Sequence, residues 1–176
     1  MTHHVEHAVE LELDAVAAAE VQALFDALES AGVESLAAGA PLVHPHVSVA
    51  VARDAAPELI ADVLRGVVTD PLPSLTLSSL GAFLAPASVL FLGVTPTREL
   101  LGLNAAVHAR LDHAGISVRP LYRPGSYVPH CTLAMHPPSL DAAIRAVLVA
   151  PLPVGAVAVA MRVVEVPTGK VRATVG

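Results

Sequence analysis

Two hexapeptides carry the same pattern, Pro45-His46-Val47-Ser48-Val49-Ala50 and Pro129-His130-Cys131-Thr132-Leu133-Ala134. Each reads proline, histidine, apolar, hydroxyl, apolar, alanine. On an extended strand, alternation puts His46, Ser48 and Ala50 on one face and Val47, Val49 and Val51 on the other, the core face. The same rule groups His130, Thr132 and Ala134, with Cys131 and Leu133 behind them. Alanine in third place keeps each polar face open. Each proline removes a ladder donor, so both strands should begin near it. If the two faces converge, two imidazoles and two hydroxyls surround one cavity, as phosphodiester cleavage by two histidines requires. One imidazole takes a proton from the attacking oxygen and the other returns one to the leaving oxygen. Ser48 and Thr132 would hold the non-bridging oxygens in register. Imidazole suits both roles, because its ordinary pKa of about 6.5 makes both protonation states accessible. The spacing leaves open which histidine is acid and which is base.

The elements that must position these residues recur in order. Ala8 to Leu13 alternates as a half-buried strand. Asp14 caps a helix that ends near Gly32, with Val16, Ala23, Leu24, Ala27, Leu28 and Ala31 on one side. Val43 to Ala52 reads as a strand. A helix begins around Pro57, facing inward through Leu59, Ile60, Val63, Leu64, Val67 and Val68. It stops at Asp70-Pro71, and Leu75 to Leu84 is a strand. The second half repeats the order: a strand over Val89 to Val94, a helix after Thr95-Pro96 with Leu100, Leu103, Val107 and Leu111 on its face, a Pro- and Arg-containing loop from Arg119 to Ser126, and a strand from Tyr127 to Met135. A helix capped by Ser139 follows, then a hairpin of Val157 to Val166 with Lys170 to Thr174. The expected fold is α+β: one domain over residues 1–176, with lobe-like repeats of roughly 1–85 and 86–176. The two lobes are related by a pseudo-twofold, each an antiparallel-rich sheet with helices outside, around a central cleft.

Duplicated His-x-Ser/Thr strands 84 residues apart in a chain of 176 residues resemble the 2H phosphoesterase superfamily, most closely its bacterial 2′-5′ RNA ligase-like (LigT-like) branch. The resemblance covers nearly the whole chain. It implies His46 and His130 as the acid/base pair and Ser48 and Thr132 as phosphate-binding residues. It further implies metal-independent hydrolysis of nucleoside 2′,3′-cyclic or related small phosphodiesters, with no cofactor. In some members it implies reversible 2′-5′ ligation of RNA ends. The chain departs from its relatives in having Met135 and His136 where many carry a basic residue after the second motif. Arg119 and Arg123 are candidates to clamp phosphate, and Tyr122 and Tyr127 to stack on a base. The alternative for these four is a solvated loop with ordinary packing tyrosines.

Composition narrows the partners. Ten Lys and Arg against sixteen Asp and Glu give a net charge of −6, with three Phe, two Tyr and no Trp. An acidic, aromatic-poor chain is unsuited to gripping long nucleic acid. A small nucleotide or an RNA-terminus phosphodiester is the expected partner. The uncharged run from Pro71 to Thr97 is long enough to span a bilayer, but its prolines, hydroxyls and alternation mark strands instead. Glu6, Glu10, Glu12 and Asp14 stand where a signal peptide would be basic and then apolar, so the expected location is cytoplasmic. Rival functions are a 2′-5′ RNA ligase or nuclease acting on RNA ends, a catalytically silent nucleotide-binding module, and a metal-binding protein using His44 and His46. His3, His4 and His7 read as a disordered terminus rather than a metal-binding tail, and His136 as an exposed strand end rather than part of the cleft rim. Cys131 reads as a core residue, and His108 and His113 as solvent-facing.

Overall fold

The structure, a computed structural model, describes residues 5–68, 71–84, 88–149 and 151–176. His3, His4, Asp70 and Pro86 lie outside them. In chain order the elements are β1 (Glu6–Leu13), α1 (Ala15–Ser30), β2 (His46–Arg53), α2 (Pro57–Leu64), β3 (Ser74–Phe83), β4 (Val89–Val94), α3 (Arg98–His113), a single 3-10 turn (Pro120–Tyr122), β5 (His130–Met135), α4 (Leu140–Val147), β6 (Val154–Val166) and β7 (Lys170–Val175). Both motif strands start at their histidine, later than Val43 and Tyr127, because the preceding proline has no N–H to give the ladder.

The fold is α+β. The sheet runs β2-β1-β6-β3-β4-β5, with β7 also on β6, and every pairing is antiparallel. The long strand β6 joins two groups. Its first residues pair with β3, and the rest pair with β1 and β7. The groups do not coincide with the halves of the sequence. Strand β3 pairs with β4 of the second half, and β6 of the second half pairs with β1. The helices cross over as well: α3 packs on β2, and α1 packs on β5 and β6. This exchange gives one continuous core through Leu11, Phe25, Val49, Ile60, Leu77, Leu92, Leu111 and Leu133.

Asp14 caps α1 through Oδ1, which accepts from the Val16 and Ala17 N–H groups, while Oδ2 accepts from Val157 N. The buried face of α1 is Ala17, Val21, Leu24, Phe25 and Leu28. Val16, expected inside, is 71% exposed, since docking on β5 and β6 rotates this Ala-rich helix away from it. Leu59 likewise faces out while Ile60 and Leu64 are buried. Among the described residues, no helix is long and apolar enough to cross a membrane.

Candidate active site

Each motif strand carries a β-bulge three residues after its histidine. Opposite β2, Glu10 pairs with Ser48 and Val9 with Ala50, so Val49 is the extra residue. Opposite β5, Phe91 pairs with Thr132 and Leu90 with Ala134, so Leu133 is the extra residue. A bulge reverses the parity of the strand beyond it. The expectation that Ala50 and Ala134 share the histidine face is therefore wrong. Both are fully buried in the core, and Val51 and Met135 line the cleft in their place.

The carbonyls at the bulges find partners elsewhere. Val49 O accepts from Asn104 Nδ2 at 2.8 Å and lies 3.3 Å from His108 Nε2, while Leu133 O accepts from the Leu36 N–H at 2.8 Å. Asn104 Nδ2 also donates to Tyr122 O at 2.9 Å and so ties the 3-10 turn to β2. Hence His108 does not face solvent: it is buried under β2, and burial pushes its pKa down. His113 is exposed, as expected.

The two imidazoles are held alike. His46 Nδ1 is 2.6 Å from His44 O, and His130 Nδ1 is 2.7 Å from Val128 O. A carbonyl only accepts, so each Nδ1 carries the hydrogen. Each Nε2 is thereby directed away from the strand. Strands β2 and β5 lie against one another, and Tyr127 Oη donates to Ser48 O at 2.9 Å across them.

A cavity of about 340 Å³ is lined by Glu10, His46, Ser48, Arg119, Tyr122 and Thr132 among others. The loop around Leu42–His44 and the turn between β6 and β7 also contribute to its wall. His130 is not among the lining residues. It stands beside them, its ring 5.1 Å from those of Phe83 and Phe91 and 6.4 Å from that of Tyr122. Burial lowers the pKa of His130; the Val128 carbonyl opposes this, and the charge on His46 adds to it.

Of the loop candidates, Arg119 and Tyr122 line the cavity, and Arg119 is ion-paired with Glu6. Burial raises the pKa of Tyr122 and Tyr127. Arg123 turns away to grip Asp112 with two 2.9 Å bonds and does not line the cavity. Cys131 is buried, with its thiol pushed up to about 12 by burial, which suits core packing and not nucleophilic attack. Among the described residues, no group of three or more His, Cys, Asp or Glu is placed to hold a metal ion.

Sequence reasoning missed the acidic side of the cleft. Glu12 lies opposite His46 in register, and Glu10 lies opposite Ser48. Glu10 Oε1 is 3.3 Å from His46 Nε2. Burial pushes the Glu10 pKa up, while His46 and then His44 pull it down. The alternation of β1 had shown its glutamates on one face. What it lacked was the pairing that makes this also the histidine face. The lining arginines Arg119 and Arg162 are engaged by Glu6 and Glu12.

Three kinds of comparison bear on this arrangement. A profile of the 2′-5′ RNA ligase superfamily matches residues 8–165. Among solved structures, E. coli LigT complexed with NADP+ is similar at TM-score 0.61 and 16% identity, covering 98% of this chain and 95% of that one. The same protein complexed with 3′-AMP matches at TM-score 0.60 and 16% identity, with the same coverage of 98% and 95%. A structure described as a phosphoesterase matches at TM-score 0.61 and 17% identity, over 96% of this chain and 92% of that one. No curated protein matches the chain.

Proposed function

The chain belongs to the 2′-5′ RNA ligase superfamily, and from that premise we propose that it is a metal-independent phosphodiesterase acting on nucleoside 2′,3′-cyclic or similar small phosphodiesters. The observation that carries this reading is the matched pinning of the two imidazoles. His46 and His130, on adjoining strands, each give Nδ1–H to the carbonyl two residues back and keep Nε2 for proton transfer. One Nε2 takes the proton of the attacking water, whose oxygen bonds to phosphorus. The other protonates the ribose oxygen as its bond to phosphorus breaks. Ser48 and Thr132, following each histidine by two residues, hold the non-bridging oxygens. The cavity is of the size that takes a small ligand. That E. coli LigT was solved with NADP+ and with 3′-AMP fits a small nucleotide. The carboxylates of the cleft and the net charge of −6 speak against a grip on long RNA.

The test is turnover of a panel of 2′,3′-cyclic mononucleotides and 2′-5′ linked dinucleotides in the presence of a chelator. Cyclic phosphates should be opened, and His46→Ala or His130→Ala should each lower the rate by at least about 10². Full activity in both variants, or activity abolished by the chelator, would refute the reading. Binding of a nucleotide with no turnover of any diester would point instead to a silent binding module. Ligation of RNA ends in preference to hydrolysis would move the substrate class to RNA termini.

A further inference from the structure

The two histidines are pinned alike but meet different neighbours. In register, β1 sets Glu12 opposite His46 and Glu10 opposite Ser48. The equivalent pairs on β4 and β5 set Gly93 opposite His130 and Phe91 opposite Thr132. Where the first pair of strands offers a carboxylate, the second offers a phenyl ring. The Glu10 and His46 side chains are only 13% and 18% exposed, so little water shields their 3.3 Å contact.

The position of one proton follows from this contact. Nδ1 of His46 already donates to His44 O. With a neutral His46, the Glu10 carboxylate would stand 3.3 Å from Nε2 in a poorly hydrated place with no charge to balance it there. A proton on Nε2 supplies that charge, and it belongs to the pair as a unit. No carboxylate stands against His130 among its described contacts; its neighbours are Phe83, Phe91 and Tyr122. There burial favours the neutral ring with Nε2 unprotonated.

We propose that Glu10 is a positioning residue that keeps a proton at Nε2 of His46, making His46 the donor to the leaving ribose oxygen and His130 the acceptor of the water proton. This rests on the two-histidine reading above. The groups facing Glu10 are His44 and His46 from the β2 side, Tyr122 beside Arg119 from the 3-10 turn, Cys131 from β5 and Arg162 opposite it on β6. Arg162 is taken by Glu12 and Arg119 by Glu6. With both arginines taken, a proton on His46 stands 3.3 Å from Glu10, and His44 is the other group that pulls its pKa down. During turnover His130 gains the proton of water, and the pair of electrons in the broken P–O bond goes to the ribose oxygen. That oxygen receives the proton of the His46–Glu10 pair. Exchange with solvent then takes the proton from His130 and restores one to the pair.

Two substrates separate the roles: a 2′,3′-cyclic nucleotide, and a nitrophenyl diester of the same nucleotide, whose phenolate leaves without needing a proton. Glu10→Gln should lower kcat/KM for the cyclic substrate by about tenfold or more. It should also move the alkaline limb of its pH profile down by about one unit, and leave the nitrophenyl ester within about threefold. Glu10→Asp, which restores the charge, should recover part of the alkaline limb. His46→Ala should show the same split between substrates more strongly, and His130→Ala should lose both. An unchanged alkaline limb in Glu10→Gln, or rescue of His130→Ala rather than His46→Ala by the nitrophenyl ester, would overturn the assignment. Full activity of both histidine variants on both substrates would instead refute the two-histidine reading itself.

Discussion

Asn104 ties two parts of the candidate site together from outside the cavity. Its amide donates to Val49 O at the bulge of β2 and to Tyr122 O in the 3-10 turn, so one side chain couples a motif strand to a wall of the cavity. Asn104→Ala takes one donor from the buried Val49 O and one from the part-buried Tyr122 O. It should cost about 1–3 kcal/mol in urea unfolding, and lower activity on the cyclic substrate as well, because Ser48 directly precedes the bulge. Unchanged stability would mean that the His108 contact alone satisfies Val49 O. The histidines and hydroxyls were legible from residue type and spacing. Asn104 and Glu10 were not, since neither belongs to a repeated motif and each acts through a partner distant in the chain.

Among the elements, the turn between β6 and β7 and the loop before β2 constrain each other. Gly169 has φ +73°, and a Cβ there would lie 2.7 Å from Val43 N and 2.8 Å from Leu42 C. Both the backbone conformation and the close approach therefore demand glycine. Gly169→Ala should destabilise the protein by about 1 kcal/mol or more. It should also raise KM, because the displaced loop carries His44, whose carbonyl pins His46. A thermal melt and steady-state kinetics on the variant check both outcomes. The order of strands and helices could be read from alternation, caps and prolines. The bulges could not: Val49 and Leu133 fit a regular strand equally well, and only the cross-strand register shows that each is an extra residue.

At the scale of the whole molecule, stability should fall on mild acidification before the carboxylates titrate. His108 is buried with an unpaired Nδ1 and a lowered pKa, and His130 is lowered in the same direction. A histidine whose folded pKa is depressed is neutral in the fold while the unfolded chain takes up a proton below about pH 6.5. The unfolded state then binds more protons, so stability is lost as pH falls through that value. Glu6, held low mainly by Arg119, and Asp14, held low mainly by Val157 N–H, act in a separate window. Their contributions persist until the pH drops below about 4. A proton held by the His46–Glu10 pair opposes this in the same range, but two lowered histidines outweigh one raised pair, so the urea midpoint should decline between about pH 7.5 and pH 5.5, and His108→Gln should flatten that decline. A flat wild-type midpoint over this range would contradict the burial of a neutral His108.

The amino-acid sequence by itself determined the α+β class, the order of the elements and the paired His-x-Ser/Thr strands, because these rest on local periodicity, caps and repeated residue types. Tertiary structure alone decided which strands pair across the halves, where each bulge turns alanine inward, and that Glu10 rather than solvent faces His46. Those features depend on contacts between residues far apart in the chain. Alternation fixes a face only relative to its own strand, and pairing decides what that face meets.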